Sequence, residues 1–304
     1  MIIYYDSGCR HFTDIFNENG QMCVQHYRYL FPGRIGGYIC SRKWLKPISL
    51  VLPEVSAGDP LIIVFDTATT ASYIKKLKRK YPNKHIIFWC WNRISADKID
   101  EIEQIKKMVD VWSYSLDDCR RFNLKYNTQF YFDSLIPETV GKNRENEKSH
   151  SRPKALFIGR EKKAREKVLK KVFSDLEAEG VEVEAYISKG RSGKYKYSLR
   201  EKLIHYRDVI ERSRDADVLI DCYGTDKAGC SLRAMEAMFL GKKLITDNLS
   251  LADYDFYDSH NIYIIGKEQR SLKEFLSEPY VSVSRDIRDR YRFSSWAERF
   301  LEEK

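Results

Sequence analysis

No apolar run in the sequence approaches the roughly 20 residues that a membrane-spanning helix needs. The opening, MIIYYDSGCRHF, reaches Asp6 and Arg10 too soon for a signal peptide and reads as a buried strand. Those absences predict a cytoplasmic chain. Cysteine is present without pattern: Cys9, Cys23, Cys40, Cys90, Cys119, Cys222 and Cys230 include no C-x-x-C pair and repeat no spacing. An odd, dispersed set argues against a disulfide framework and against a structural zinc site. The six histidines share no ligand spacing either, so no metal site is expected, no cofactor is required, and Mg2+ is left open. The G-x-G-x-x-G fingerprint is missing, which counts against nicotinamide and flavin enzymes.

What the chain does have is charge. Hydrophobic residues make up 43 % and charged residues 32 %, the balance of a soluble globular protein, and the formal net charge is +9. A basic excess favours anionic partners, whether nucleic acid, an acidic membrane surface or a phosphorylated small molecule; plain solubility is the bland alternative.

Two halves share one rhythm. In the first, short apolar runs at 1–5, 61–66, 85–91, 109–115 and 128–132 read as strands buried on both faces of a parallel sheet. Helical patterns at 68–82 and 95–108 lie between them, the latter opened by Ser95 as N-cap. A polar, apolar-poor stretch closed by Pro153 interrupts the pattern. The rhythm then resumes with strands at 154–159, 181–187, 217–224, 242–248 and 261–266, and helices at 164–180 and 199–216. The tail 288–304 reads as an amphipathic helix, with Trp296 and Phe300 four apart. The prediction is an α/β protein of two Rossmann-like domains facing across a cleft, with the terminal helix returning toward the first. Its bounds are 1–140, a linker at 141–153, a second domain at 154–285 and the terminal helix at 286–304.

Two segments carry the chemistry. In FIGREKKARE a strand ends at Gly159, and Arg160, Lys162, Lys163 and Arg165 follow at the mouth of a helix. Glycine admits close backbone approach, and cations at a helix N-terminus suit a diphosphate; a solvated basic face is the equal alternative. In the second segment, DVLIDCYG ends a strand at Tyr223 and Gly224, and GCSLRAMEAMFLG makes a turn and a helix capped by Ser231 and stopped by Gly241. The N–H groups near Gly229, Cys230 and Ser231 are placed to face phosphate. Glu236 stands alone among apolar neighbours. Its carboxylate suits the vicinal hydroxyls of a ribose; a salt bridge to Arg233 or to a neighbouring helix is the other reading.

Together GREKKARE and ADVLIDCYGTDKAGCSLRAMEAMFLGKKLITDN resemble the carboxy-terminal domain of glycosyltransferases with the GT-B fold, among them bacterial polysaccharide and lipopolysaccharide core enzymes. In that family a strand ending Gly-Arg, with a basic residue soon after, holds the donor diphosphate, and the helix that reads RAMEAMFLG in this chain holds the nucleoside. The resemblance implies hexosyl transfer from a nucleotide-diphosphate sugar, UDP first, to a hydroxyl of a saccharide or lipid-linked acceptor. Donor contacts then fall on Gly159, Arg160, Lys162, Tyr223, Gly229, Cys230, Ser231 and Glu236. Many retaining members carry an earlier glutamate where this chain has Ala228, so that chemistry is in question. The acceptor falls to the first domain, where Asp6 and His11 are base candidates after the first strand, with Asp66 following another. Aromatics interleaved with cations at 26–47 suit either buried surface or a peripheral contact with an inner-membrane face. Two other functions stay open: a nucleic-acid-binding protein on a Rossmann-like core, disfavoured because the cations form no single stripe, and a non-catalytic sugar-nucleotide binder.

Overall fold

The computed structural model describes residues 2–5, 13–18, 23–26, 28–29, 50–52, 54–56, 58–59, 61–66, 70–137, 152–188, 199–200, 205–224, 229–267 and 270–302. The chain forms two compact units, one of Met1–Thr128 with Ala297–Lys304 and one of Gln129–Trp296. The segment expected to link them lies outside the described residues except at its last two positions.

The first unit holds β1 (Ile2–Tyr5), α1 (Thr13–Glu18), β2 (Cys23–His26), β3 (Arg28–Tyr29), β4 (Leu50–Val51), β5 (Leu61–Phe65), α2 (Ala71–Lys80), β6 (His85–Cys90), α3 (Ile99–Lys106), β7 (Asp110–Ser113), α4 (Leu116–Phe122) and β8 (Lys125–Tyr126). Its main sheet is parallel, in the order β2-β1-β5-β6-β7-β8. The central strands are apolar on both faces, and β5 is buried along its whole length, as a sheet covered on both sides requires. Ile62, Val64, Ile86 and Phe88 pack with Tyr73, Ile74 and Leu77 of α2 and with Ile102 and Ile105 of α3. The Thr70 hydroxyl caps α2 by accepting from the Tyr73 N–H.

The second unit holds β9 (Lys154–Arg160), α5 (Lys163–Ala178), β10 (Glu182–Ser188), β11 (Leu199–Arg200), α6 (Tyr206–Asp215), β12 (Val218–Asp221), α7 (Leu232–Leu240), β13 (Lys243–Thr246), β14 (Ile262–Ile264), α8 (Leu272–Ser277) and α9 (Arg285–Arg290), and it begins α10 (Phe293–Glu302). Its sheet is again parallel, in the order β11-β10-β9-β12-β13-β14. Phe157, Ile220 and Ile245 meet Leu169, Phe173 and Leu176 of α5 in its core.

Three expected elements differ. The run 128–132 is not a sheet strand: Tyr131 is extended but bridges Arg292, donating to the Tyr291 carbonyl and accepting from Phe293 N–H. The helix expected from 199 starts at Tyr206, because Leu199 and Arg200 pair with Ile187 and Ser188 as an edge strand. The tail is two helices rather than one, since the bridge to Tyr131 takes up the backbone at 291–293. Its last residues belong to the first unit, where the Phe300 ring lies edge-on to Trp89 at 6.0 Å and to Trp112 at 4.9 Å. The return of the terminal helix to the first domain is thus seen.

Candidate functional site

In each unit the strand order reverses once. The first unit runs from β1 outward to β2 and comes back to β5 on the other side; the second runs from β9 to β10 and comes back to β12. Helices leave the sheet in opposite directions at such a point, so a crevice opens beyond the carboxyl ends of the two strands, and ligands of open α/β sheets bind there.

In the second unit that point joins Arg160, which ends β9, to Asp221, which ends β12. Arg160 and Lys162 are exposed, and Lys162 is the N-cap of α5, its carbonyl accepting from the Arg165 N–H at 3.2 Å. Desolvation first, then the positive charges of Arg165 and Arg160, hold the Lys162 ammonium below the ordinary lysine range. Crowded cations of this kind gain from an anion. Arg165 ties the two strand ends together: it is buried, donates to the Cys222 carbonyl at 3.1 Å and to the Arg160 carbonyl, and lies over the Phe157 ring. A Cβ on Gly159 would come within 2.8 Å of the Arg165 guanidinium and 2.9 Å of Phe157. A side chain at Gly159 would have to displace those side-chain ends.

The loop after β12 is held from β13. Asp247, the residue after that strand, accepts from the N–H of Tyr223 at 2.8 Å and of Gly224 at 2.7 Å, one on each carboxylate oxygen. Gly224 has φ +74° and presses on the first turn of α5: a Cβ there would lie 2.3 Å from Arg165 N and 2.4 Å from Ala164 C and O. Ser231 caps α7 as expected, accepting from Ala234 N–H, while its hydroxyl donates to Asp221 at 2.6 Å. Burial pushes the Asp221 carboxyl up, opposed first by the Ser231 hydroxyl. Gly229 and Cys230 are buried, and their carbonyls accept from Asn248 at 2.9 Å and Gln129 at 3.3 Å. Burial raises the Cys230 thiol far above its usual range, so it stays protonated.

Glu236 is 1 % exposed and already engaged. One carboxylate oxygen accepts from the Tyr206 hydroxyl at 2.9 Å; the other accepts from Ser213 at 3.4 Å and pairs with Arg233, itself 11 % exposed. Burial pushes its pKa up, and Arg233 is the strongest opposing influence. The structure thus gives Glu236 both the salt bridge to Arg233 and a tie to a neighbouring helix, the alternatives to a ribose contact. A lone acid on an apolar helix carries the same sequence signal in both cases.

In the first unit Asp6 and His11 lie outside the described residues, as does most of 26–47; in the second, Ala228 does. Asp66 follows β5 at the reversal point, 7 % exposed. It accepts from the backbone N–H and the side-chain amide of Asn92, both at 3.2 Å. Burial raises its pKa to about 6 against the pull of Lys98. Asp117 stands in the first turn of α4 and pairs with Arg93 at 2.7 Å. Among the described residues no cluster of three or more His, Cys, Asp or Glu is placed to hold a metal ion, and no helix is long and apolar enough to cross a membrane.

The residues missed in sequence were Arg165 as a tie, Asp221 and Asp247. Asp247 falls in TDN directly behind the β13 run, and reading the strand through to 248 concealed it.

No protein-family model matches the chain, and no curated protein does. Solved structures do. The glycosyltransferase from Rickettsia africae ESF-5 aligns at TM-score 0.56 and 9 % identity, over 99 % of this chain and 96 % of that one. The lipopolysaccharide outer core galactosyltransferase WaaB, apo form, aligns at TM-score 0.53 and 14 % identity, over 99 % and 98 %. The S. aureus MnaA–UDP co-structure aligns at 0.50 and 10 %, over 99 % and 94 %. The chain has the GT-B fold. Two parallel Rossmann-like sheets account for the alignment over its whole length, and at such identities the likeness speaks for the fold alone. In this chain the second unit's reversal point is where the charges of Arg160, Lys162 and Arg165 act on one another.

Proposed function

We propose that the protein is a glycosyltransferase that takes a sugar from a nucleotide diphosphate, with UDP as the first candidate, and passes it to a saccharide hydroxyl. One observation carries the reading: Arg160 and Lys162 gather with the tie Arg165 at the strand reversal of the second unit, beside the start of a 16-residue helix. A pyrophosphate there gains charge-assisted hydrogen bonds from the exposed cations and attraction from the positive end of the helix dipole. The same groups neutralise the charge that builds on the leaving diphosphate as the sugar bond breaks. Two aligned structures add support: the MnaA co-structure contains UDP, and an alpha-glucosyltransferase in complex with UDP and a 13-mer DNA containing a central A:G mismatch aligns at TM-score 0.50 and 12 % identity. The likeness to WaaB, a lipopolysaccharide outer core galactosyltransferase, supports a cell-surface saccharide or lipopolysaccharide as acceptor.

In this reading Glu236 fixes α7 to α6 through Tyr206 and Ser213, and the ribose contact is not assigned to it. Asp66 serves as proton acceptor for the acceptor hydroxyl in the inverting form of the reaction. Its pKa of about 6 leaves it ionised near neutrality and still basic enough to take a proton.

The test is a thermal-shift screen of UDP, GDP and ADP. A ligand at a hundred times its dissociation constant stabilises by about 2.7 kcal/mol, a shift easily read. Replacing Arg160 and Lys162 together with alanine is expected to weaken the preferred nucleotide by at least about tenfold, since each charge-assisted hydrogen bond contributes roughly 1.5–3 kcal/mol. No shift with any of the three at millimolar concentration would refute the donor assignment.

A further inference from the structure

The walls of the second unit's site differ in sign. The β9 and α5 side presents Arg160 and Lys162, whereas the β12 and β13 side presents Asp221 and Asp247. Asp247 is the unusual member. Two successive N–H groups, the second on a residue at positive φ, form a small concavity that suits an anionic oxygen. The loop of Tyr223 and Gly224 has that form, and the anion in it is the protein's own carboxylate, with both oxygens used. The loop in turn is pressed against Ala164 and Arg165, in the first turn of α5. Asp247 thus brings a negative charge to the loop that packs on the helix start read as the phosphate site. Asp221 acts on Lys162 electrostatically and feels Asp247 in turn.

We infer that Asp247, seconded by Asp221, makes this site discriminate by ligand charge, favouring a pyrophosphate capped by a sugar over a nucleotide that ends in a free phosphate. The inference rests on the nucleotide reading above and deepens it. A sugar nucleotide presents hydroxyl donors where a free nucleotide presents further anionic oxygens. Carboxylates accept the first and repel the second. The same charge difference separates donor from product: breaking the sugar–phosphate bond leaves a nucleoside diphosphate with one more negative charge. A site lined in this way holds its product less tightly than an all-cationic one and releases it faster.

The probes are UDP and UTP, which differ by one phosphate and need no knowledge of the sugar. Their dissociation constants are measured by calorimetry on the wild type, on Asp247→Asn, on Asp221→Asn, and on Asp215→Asn as a charge-matched control. Asp215 pairs with Lys154 at the amino end of β9, at the opposite end of the strands. The wild type is expected to bind UTP more weakly than UDP. Each of the two site variants should narrow that ratio by at least about threefold, the size of a like-charge repulsion of somewhat under 1 kcal/mol in a partly solvated site. The control should leave the ratio unchanged. Asp247→Asn also gives up one loop hydrogen bond, so both affinities can fall; the ratio is the readout because a loosened loop weakens both nucleotides alike. Asp221→Asn keeps the Asp247 hold on the loop and decides the matter if the first variant does not fold. An unchanged ratio in the folded variants overturns the inference while the nucleotide reading stands. Wild-type protein that binds neither nucleotide overturns the reading beneath it.

Discussion

At the scale of single residues, Glu236 tests how a buried acid is satisfied. Removing its carboxylate takes from Arg233, which is 11 % exposed, its ion-pair partner and takes from the Tyr206 hydroxyl the Glu236 acceptor. Breaking a buried pair from one side costs about 3–5 kcal/mol. Glu236→Ala is therefore expected to lower the unfolding free energy of the second unit by roughly that amount, read from denaturant curves. Glu236→Gln keeps an oxygen for Tyr206 and nearly the same shape. Nucleotide affinity in that variant should stay within about twofold of wild type if the residue is framework. A loss beyond about tenfold, with the fold intact, would return the ribose contact to Glu236 and end its assignment to the framework.

At the scale of elements, the second unit's site depends on a loop and a helix fitting without a side chain between them. Gly224 is at φ +74° and has backbone atoms of Ala164 and Arg165 where a Cβ would go. Alanine there meets both the strain of left-handed backbone, of the order of 1 kcal/mol, and a contact that only backbone movement can relieve. Gly224→Ala is expected to weaken nucleotide binding by at least about tenfold while costing the fold a few kcal/mol at most; measured affinity equal to wild type would show that the loop plays no part. This element also shows what was readable from the chain. The β runs, the Ser231 cap and the Gly241 stop follow from local patterns, because burial on both faces and helix termini leave marks within a few residues. Arg165, Asp221 and Asp247 left no such mark. Their partners are the Cys222 carbonyl, the Ser231 hydroxyl and the N–H groups of Tyr223 and Gly224, brought near only by the order of strands in the sheet. Glu236 was visible as an oddity, but the choice between ligand and arginine depended on Tyr206 and Ser213, on another helix.

At the scale of the whole molecule, carboxylates divide into two groups that pull stability in opposite directions with pH. Asp110 is held below its usual range by His85 and Lys125, against a larger desolvation, and Glu274 by the capping interactions of Ser271. Such groups support the fold above their unfolded pKa, and that support is lost as pH falls. Asp66 and Glu236 are shifted upward, chiefly by burial. For an acid whose folded pKa exceeds its unfolded value, stability is greatest when it is protonated and declines as pH rises through the folded pKa. Asp66 moves from 3.8 to about 6, which corresponds to about 3 kcal/mol lost between roughly pH 4 and pH 6. A fold retains a penalty of this size where the charge is useful, and the end of a central strand at the reversal point is such a place. Asp66→Asn removes the ionisation while keeping an oxygen to accept from Asn92. The variant should melt several degrees above wild type at pH 7, converge with it near pH 4, and lose the decline between. Its transferase rate should fall by at least about a hundredfold if Asp66 takes the proton. A variant that melts with the wild-type pH profile would show that the buried carboxylate is not the source of the decline, and one that keeps full activity would remove Asp66 from the chemistry.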